Sequence, residues 1–223
     1  MGYDISDYKD IHAPYGTEAD VEKLIECLHS RGMKFVMDLV LNHTSDQRLR
    51  NQKTTSRDYY IWRKPKYDSN GQRVPPKEVL GIDGFRVDVI NFVSKVPGLP
   101  DASIKQTWRE FQPGPRLHEY LQDIGRILKE YNAFSVGEMP CIYDPKEILN
   151  AVGFDIQELN MIFHFEILCH LTNAVSVEMD IGVGGKFTPK QWQLSSLKDI
   201  VSKWQSFMID NDGWNALYLE NHD

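Results

Sequence analysis

The order of apolar and polar positions along the chain switches between two periods. Between Thr17 and Gly32 the apolar residues Val21, Leu24, Ile25 and Leu28 fall at the spacing of one helix face. Thr17 stands where an N-cap belongs, acids fill the first turn and Gly32 closes the segment, so 17–32 reads as an amphipathic helix. Lys34 to His43 is then nearly continuous in Val, Leu, Met and Phe, as expected of a strand covered on both faces. Similar strand-like runs follow at 81–93, 133–139, 158–166 and 214–223. Helical patterns occupy 114–132 and 194–208, the second with Ser195 or Ser196 near its cap. Five strands interleaved with helices predict a parallel α/β sheet. Residues 45–79 break the rhythm: they are polar, carry the turn YDSNG at 67–71 and the pair Pro75-Pro76, and read as a loop or small excursion. The chain divides accordingly into 1–44, 45–80 and 81–223.

Polar groups gather at the C-terminal ends of the apolar runs: Asp38, Asn42 and His43; Arg86 and Asp88; Glu138; His222 and Asp223. That edge is where α/β barrels build their active sites. In GFRVDV, Arg86 and Asp88 share one strand face because side chains alternate. A guanidinium beside a carboxylate favours the ionised form, although a purely structural ion pair reads equally well from this motif alone. Glu138 ends a short apolar strand ahead of Pro140, where partial burial favours the protonated form and suits a general acid. Two carboxyl groups of opposite character are what glycoside hydrolysis uses. Asp38 interrupts an apolar strand and needs a partner; Arg86 is the best candidate, which makes Asp38 a supporting residue. His222, Asp223 and His43 each read as sugar-hydroxyl partners or as ordinary polar strand ends, and Tyr3 as a pyranose platform or a half-buried tyrosine.

Composition narrows the partners. Hydrophobic residues make up 41% and charged residues 26% of 223, an ordinary globular balance. The net charge of −7 lacks the basic footprint that nucleic acid or an anionic membrane surface requires. No apolar run is long enough to span a bilayer, and the polar start MGYDISDYKD is not a secretory signal, so the cytoplasm is expected. Cys27, Cys141 and Cys169 are odd in number and lack C-x-x-C spacing, so they are expected to be buried or half-buried thiols, not a disulfide framework or zinc site.

DLVLNH (38–43), GFRVDV (84–89), VGEMP (136–140) and ENHD (220–223) resemble, in order, the four signature regions of the α-amylase superfamily, glycoside hydrolase family 13. GYDISDY and GFRVDVINFVSK are most similar to the oligo-1,6-glucosidase, isomaltase and maltase branch. The resemblance implies a (β/α)8 barrel, of which about strands three to seven are present, with a truncated subdomain after strand three. It implies a retaining α-glucosidase with Asp88 as nucleophile, Glu138 as proton donor and Asp223 as a stabiliser of the distorted ring. Tyr3, His43, Arg86, Val89 and His222 would line the glucose pocket, with Asp38 and Asn42 in support. Valine after the nucleophile accompanies α-1,6 cleavage in that branch, threonine α-1,4 cleavage. A small oligosaccharide is the expected partner, with no cofactor and no metal, the calcium loop of some relatives being absent. Relatives carry several dozen more residues between Pro76 and Gly81, and strands one, two and eight have no counterpart here. A non-catalytic amylase-fold interaction protein and a metal-dependent hydrolase are the competing readings; three carboxylates in place disfavour the first, and Arg86 beside Asp88 opposes a cation in the second.

Overall fold

The computed structural model describes residues 3–5, 7, 8, 10–43, 66, 67, 73, 74, 81–95, 97, 113–156, 158–171 and 191–219. Its strands are β1 (Val36–Val40), β2 (Lys66–Tyr67), β3 (Arg73–Val74), β4 (Gly84–Asp88), β5 (Phe134–Met139) and β6 (Met161–His164). Its helices are α1 (Glu18–His29), α2 (Leu117–Glu130), α3 (Pro145–Val152), α4 (Glu166–Leu171) and α5 (Leu194–Asp210). Strands β1, β4, β5 and β6 form one sheet in that order, every neighbouring pair parallel. The short β2 and β3 pair antiparallel as a separate ribbon within the polar 45–80 segment.

Register decides what each face carries. Asp38 lies opposite Arg86, Val40 opposite Asp88, Arg86 opposite Val136 and Glu138 opposite Phe163. Partners across parallel strands point the same way, so Asp38, Arg86, Asp88 and Glu138 share one face. The opposite face presents Val87, Met139 and Ile162 to the helices. There they join Ile90, Leu117, Leu121, Ile148, Trp204 and Met208 in one buried cluster. Gly137 is required by this packing: a Cβ there would meet Leu159 at 2.7 Å and Ile162 at 2.8 Å. Asp83 fastens the start of the sheet. Its carboxylate accepts from Lys34 Nζ and His29 Nε2, both at 2.7 Å, and from the Phe35 N–H at 2.8 Å. These donors, Lys34 foremost, hold it well below the usual carboxylate range.

Several expectations are corrected. Strand β1 is not covered on both faces: Val36 is 45% and Met37 36% exposed, because β1 is hydrogen-bonded only to β4 among the described residues and α1 buries Ile25 alone. The run 81–93 is a strand only to Asp88, after which Val89 turns left-handed and a 3-10 turn covers Ile90–Phe92. The run 158–166 narrows to β6, and its last residue, Glu166, opens α4. The run 214–223 is not a strand over its described part; Ala216 makes a single parallel bridge to Phe163, and 220–223 lie outside the described residues. Helix α5 is capped at Gln193, ahead of either serine. Cys27 is exposed, not buried, because it sits on the outward side of α1. Helices α3 and α4 are additions to the expected pattern. Among the described residues no helix is long and apolar enough to cross a membrane.

Candidate active site

The chemistry converges on one guanidinium. Arg86 rises from the middle of β4 onto the polar face. Its Nη1 reaches Asp88 Oδ1 at 2.6 Å and the two oxygens of Asp38 at 3.1 and 3.2 Å. Its Nη2 reaches Glu138 Oε2 at 2.5 Å. Arg86 thus bridges three adjacent strands, with β1 supplying Asp38 and β5 supplying Glu138. Asp88 and Glu138 are buried, at 6% and 5% exposure, while the Asp38 side chain is 41% exposed. Asp38 therefore finds its expected partner, but at an open edge and not in an apolar interior.

Tyr3 closes the network from the N-terminal segment. Its hydroxyl donates to Asp38 Oδ2 at 3.0 Å and accepts from Arg86 Nη1 at 3.4 Å. Its ring lies beneath the guanidinium, 5.6 Å from centroid to Cζ, a cation–π contact. Burial and the Asp38 bond raise the hydroxyl's affinity for its proton, against the pull of Arg86. His43 Nε2 sits 3.1 Å from the Tyr3 carbonyl, so His43 braces the tyrosine. Asn42 Oδ1 accepts from Lys95 Nζ at 2.9 Å, beside the same edge.

Charge counting explains the protonation pattern. Three carboxyl groups face one guanidinium, so they cannot all be neutralised by it. Burial is the largest influence on Glu138 and raises its pKa; the Arg86 charge and the Val89 N–H oppose it, while the neighbouring Asp88 adds to it. The net result pushes Glu138 up to about 7, even though it touches Arg86, because that guanidinium is shared. Arg86 holds its proton more tightly than usual: burial works against the charge, and Glu138, Asp38 and Asp88 outweigh it.

Tyr3, Asp38, Arg86, Asp88, Val89 and Glu138 are thus brought together, with His43 and Asn42 at their margin. His222 and Asp223 lie outside the described residues. Three contributors went unnoticed in the sequence. Tyr8 donates to the Val40 carbonyl at 2.6 Å and fixes the end of β1, and Lys95 holds Asn42. Asn91, fully buried, donates from Nδ2 to the Pro140 carbonyl at 3.1 Å and ties the turn after β4 to the turn after β5. Asn91 was the legible one, since an amide inside VINFV must find a partner. Among the described residues no three His, Cys, Asp or Glu side chains are arranged to hold a metal ion. A cavity of about 500 Å³ opens at the other end of the sheet, against Phe134, Ser135, Glu158 and Asn160, and is separate from this cluster.

Comparison with known proteins identifies the family. The α-amylase catalytic-domain model matches residues 1–81 and 77–223. The α-glucosidase of Schizosaccharomyces pombe is 39% identical over 287 aligned positions, covering all of this chain and 48% of that protein. The oligo-1,6-glucosidase of Parageobacillus thermoglucosidasius is 38% identical over 280 positions, with the same coverage. The crystal structure of Bacillus licheniformis trehalose-6-phosphate hydrolase superposes with a TM-score of 0.76 at 32% identity, over 100% of this chain and 48% of that one. The isomaltulose synthase of Erwinia rhapontici NX5 gives 0.78 at 27% identity, again over 100% and 48%. The chain spans about half the length of the curated relatives it matches, and its parallel sheet with flanking helices corresponds to part of a larger barrel. With the family model matched from one end to the other and the polar edge of the sheet built from its signature segments, this chain belongs to the α-amylase family.

Proposed function

We propose that the protein is part of a retaining α-glucosidase that releases terminal glucose from short α-linked oligosaccharides. The observation that carries this reading is the pairing of Asp88 and Glu138 on the two terminal nitrogens of Arg86, both buried and on one sheet face. In the reaction, an Asp88 oxygen attacks the anomeric carbon as the glycosidic C–O bond breaks. Glu138 delivers its proton to the departing oxygen and is left as a carboxylate. That carboxylate then takes a proton from water, whose oxygen attacks the anomeric carbon and releases Asp88. Two inversions give net retention. A proton affinity near neutrality lets Glu138 serve in both directions.

Arg86 acts by holding the two carboxyl groups a fixed distance apart, and Tyr3 with Asp38 fixes Arg86. Asp223 and His222 belong to this reading as ring-distorting and hydroxyl-binding groups, as do Tyr3 and His43 in lining the glucose pocket. Val89 favours α-1,6-linked substrates of the isomaltose type by analogy with its branch. The side chains carry the steps themselves, so no cofactor is part of the reading, and the site of action is the cytoplasm.

The test is hydrolysis of p-nitrophenyl α-glucoside, isomaltose and maltose. It is run on the chain as it stands and on the chain completed to the length of its curated relatives. We expect turnover in the completed protein, retention of configuration, and losses of about 10²–10⁴ in kcat/KM for Glu138→Gln and at least as much for Asp88→Asn. Undiminished turnover in Asp88→Asn would overturn the assignment.

A further inference from the structure

Val89 is a β-branched residue held at φ 34° and ψ 49°, in the left-handed region. Such a residue clashes there with its own backbone, and the conformation persists only where surrounding structure demands it. Three features surround it. Asp88 immediately precedes it, with its oxygen on Arg86. Fully buried Ile90 and Asn91 follow it in a 3-10 turn, and Asn91 ties that turn to Pro140, two residues beyond Glu138. The Val89 N–H itself donates to Glu138 Oε2 at 3.3 Å, the same oxygen that meets Arg86 Nη2.

We infer that the main-chain N–H of Val89 is a positioning group for the acid–base residue. It fixes Glu138 Oε2 and steadies the ionised carboxylate, and the left-handed turn at Val89 takes the chain out of the sheet directly after it. This rests on the proposed roles of Asp88 and Glu138 and deepens them. The peptide linking Asp88 to Val89 then serves both carboxyl groups: its Asp88 side presents one, and its N–H holds the other. A hydrogen bond to a carboxylate is stronger than one to a carboxylic acid, so the N–H gains strength as Glu138 gives up its proton. The groups facing Glu138 are Arg86, Asp88 and this N–H, with Asp38 and Tyr3 acting on it through Arg86. Arg86 and the Val89 bond move Glu138 downward against burial, while Asp88 moves it upward.

The test needs no turnover. In folded protein labelled with ¹³C at glutamate carboxyls and ¹⁵N in the backbone, the Glu138 carboxyl carbon and the Val89 amide are titrated together, with Glu138→Gln assigning the carboxyl. The Val89 amide proton is expected to move downfield with the Glu138 midpoint, and this response is expected to vanish in Glu138→Gln. Replacing Val89 by its α-hydroxy analogue, which turns the amide into an ester and deletes the donor, should raise the Glu138 midpoint by about half to one pH unit. Val89→Gly, which keeps the donor, should leave the midpoint in place. An amide that does not follow Glu138, or an ester variant with an unmoved midpoint, overturns the inference. Loss of the wider reading shows separately, as Asp88→Asn or Glu138→Gln proteins that still hydrolyse α-glucosides.

Discussion

Arg86 is surrounded by more negative charge than it can neutralise, and that imbalance sets the behaviour of single residues here. Removing it in Arg86→Leu strands Asp38, Asp88 and Glu138 together, two of them buried. The expected loss is about 3–5 kcal/mol at pH 7, measured by urea unfolding. Glu138 has the opposite sign. Its folded pKa of about 7 lies above the unfolded value, so its contribution is present at low pH and is lost as pH rises from about 4.5 to 7. Glu138→Gln mimics the protonated form. It is expected to match the parent at pH 4.5 and to exceed it at pH 8 by roughly 2–4 kcal/mol in the same denaturation experiment. The Asp38–Arg86–Asp88 side of this cluster was legible, because period-two alternation puts Arg86 and Asp88 on one face and a charge interrupting the apolar run at Asp38 needs a partner. The Glu138–Val89 bond was not: nothing in the letters VDVI announces a left-handed valine.

Among the elements, the sequence pattern was informative where an apolar run was long or bounded by charge. It placed β4 and β5 with their acids at the right ends, and α1 and α2 by helical spacing. It missed α3, where Asp144 accepts from the Lys146 N–H at 3.0 Å and caps Pro145 at the helix start, a signal visible in YDPKE but short. It missed α4 because Phe165 and Glu166 continue the apolar alternation of β6 while the backbone already turns. Over the described part of 214–223 it expected a strand where Ala216 makes a single bridge, because strand pairing depends on neighbours along the sheet that local sequence does not supply. Packing makes its own prediction. Gly137→Ala would drive a methyl into Leu159 and Ile162 directly beside Glu138. We expect a loss of about 1–3 kcal/mol, read as a lower midpoint in urea with an unchanged m-value.

For the molecule as a whole, one buried histidine couples the helix layer to pH. His164 ends β6, stacks on Trp204 of α5 at 4.0 Å, and meets no hydrogen-bond partner at either ring nitrogen among the described residues. Burial lowers its pKa to about 4, with Lys203 acting in the same direction and Glu166 against it. The folded state therefore keeps it neutral, and stability is lost as pH falls from about 6.5 towards 4. His164→Phe keeps an aromatic stack and removes the titration. Thermal scans between pH 7 and 4 are expected to show a flatter decline, worth roughly 3 kcal/mol at the acid end. The barrel relationship was legible from four ordered motifs, none sufficient alone. Covalent trapping decides whether Asp88 is the nucleophile. The protein completed to its relatives' length is treated with 5-fluoro-α-glucosyl fluoride, and its peptides are mapped by mass spectrometry. One fluoroglucosyl group is expected on the peptide containing Asp88, absent in Asp88→Asn; a label on any other residue, or hydrolysis with inversion and no trapped sugar, would refute the nucleophile assignment.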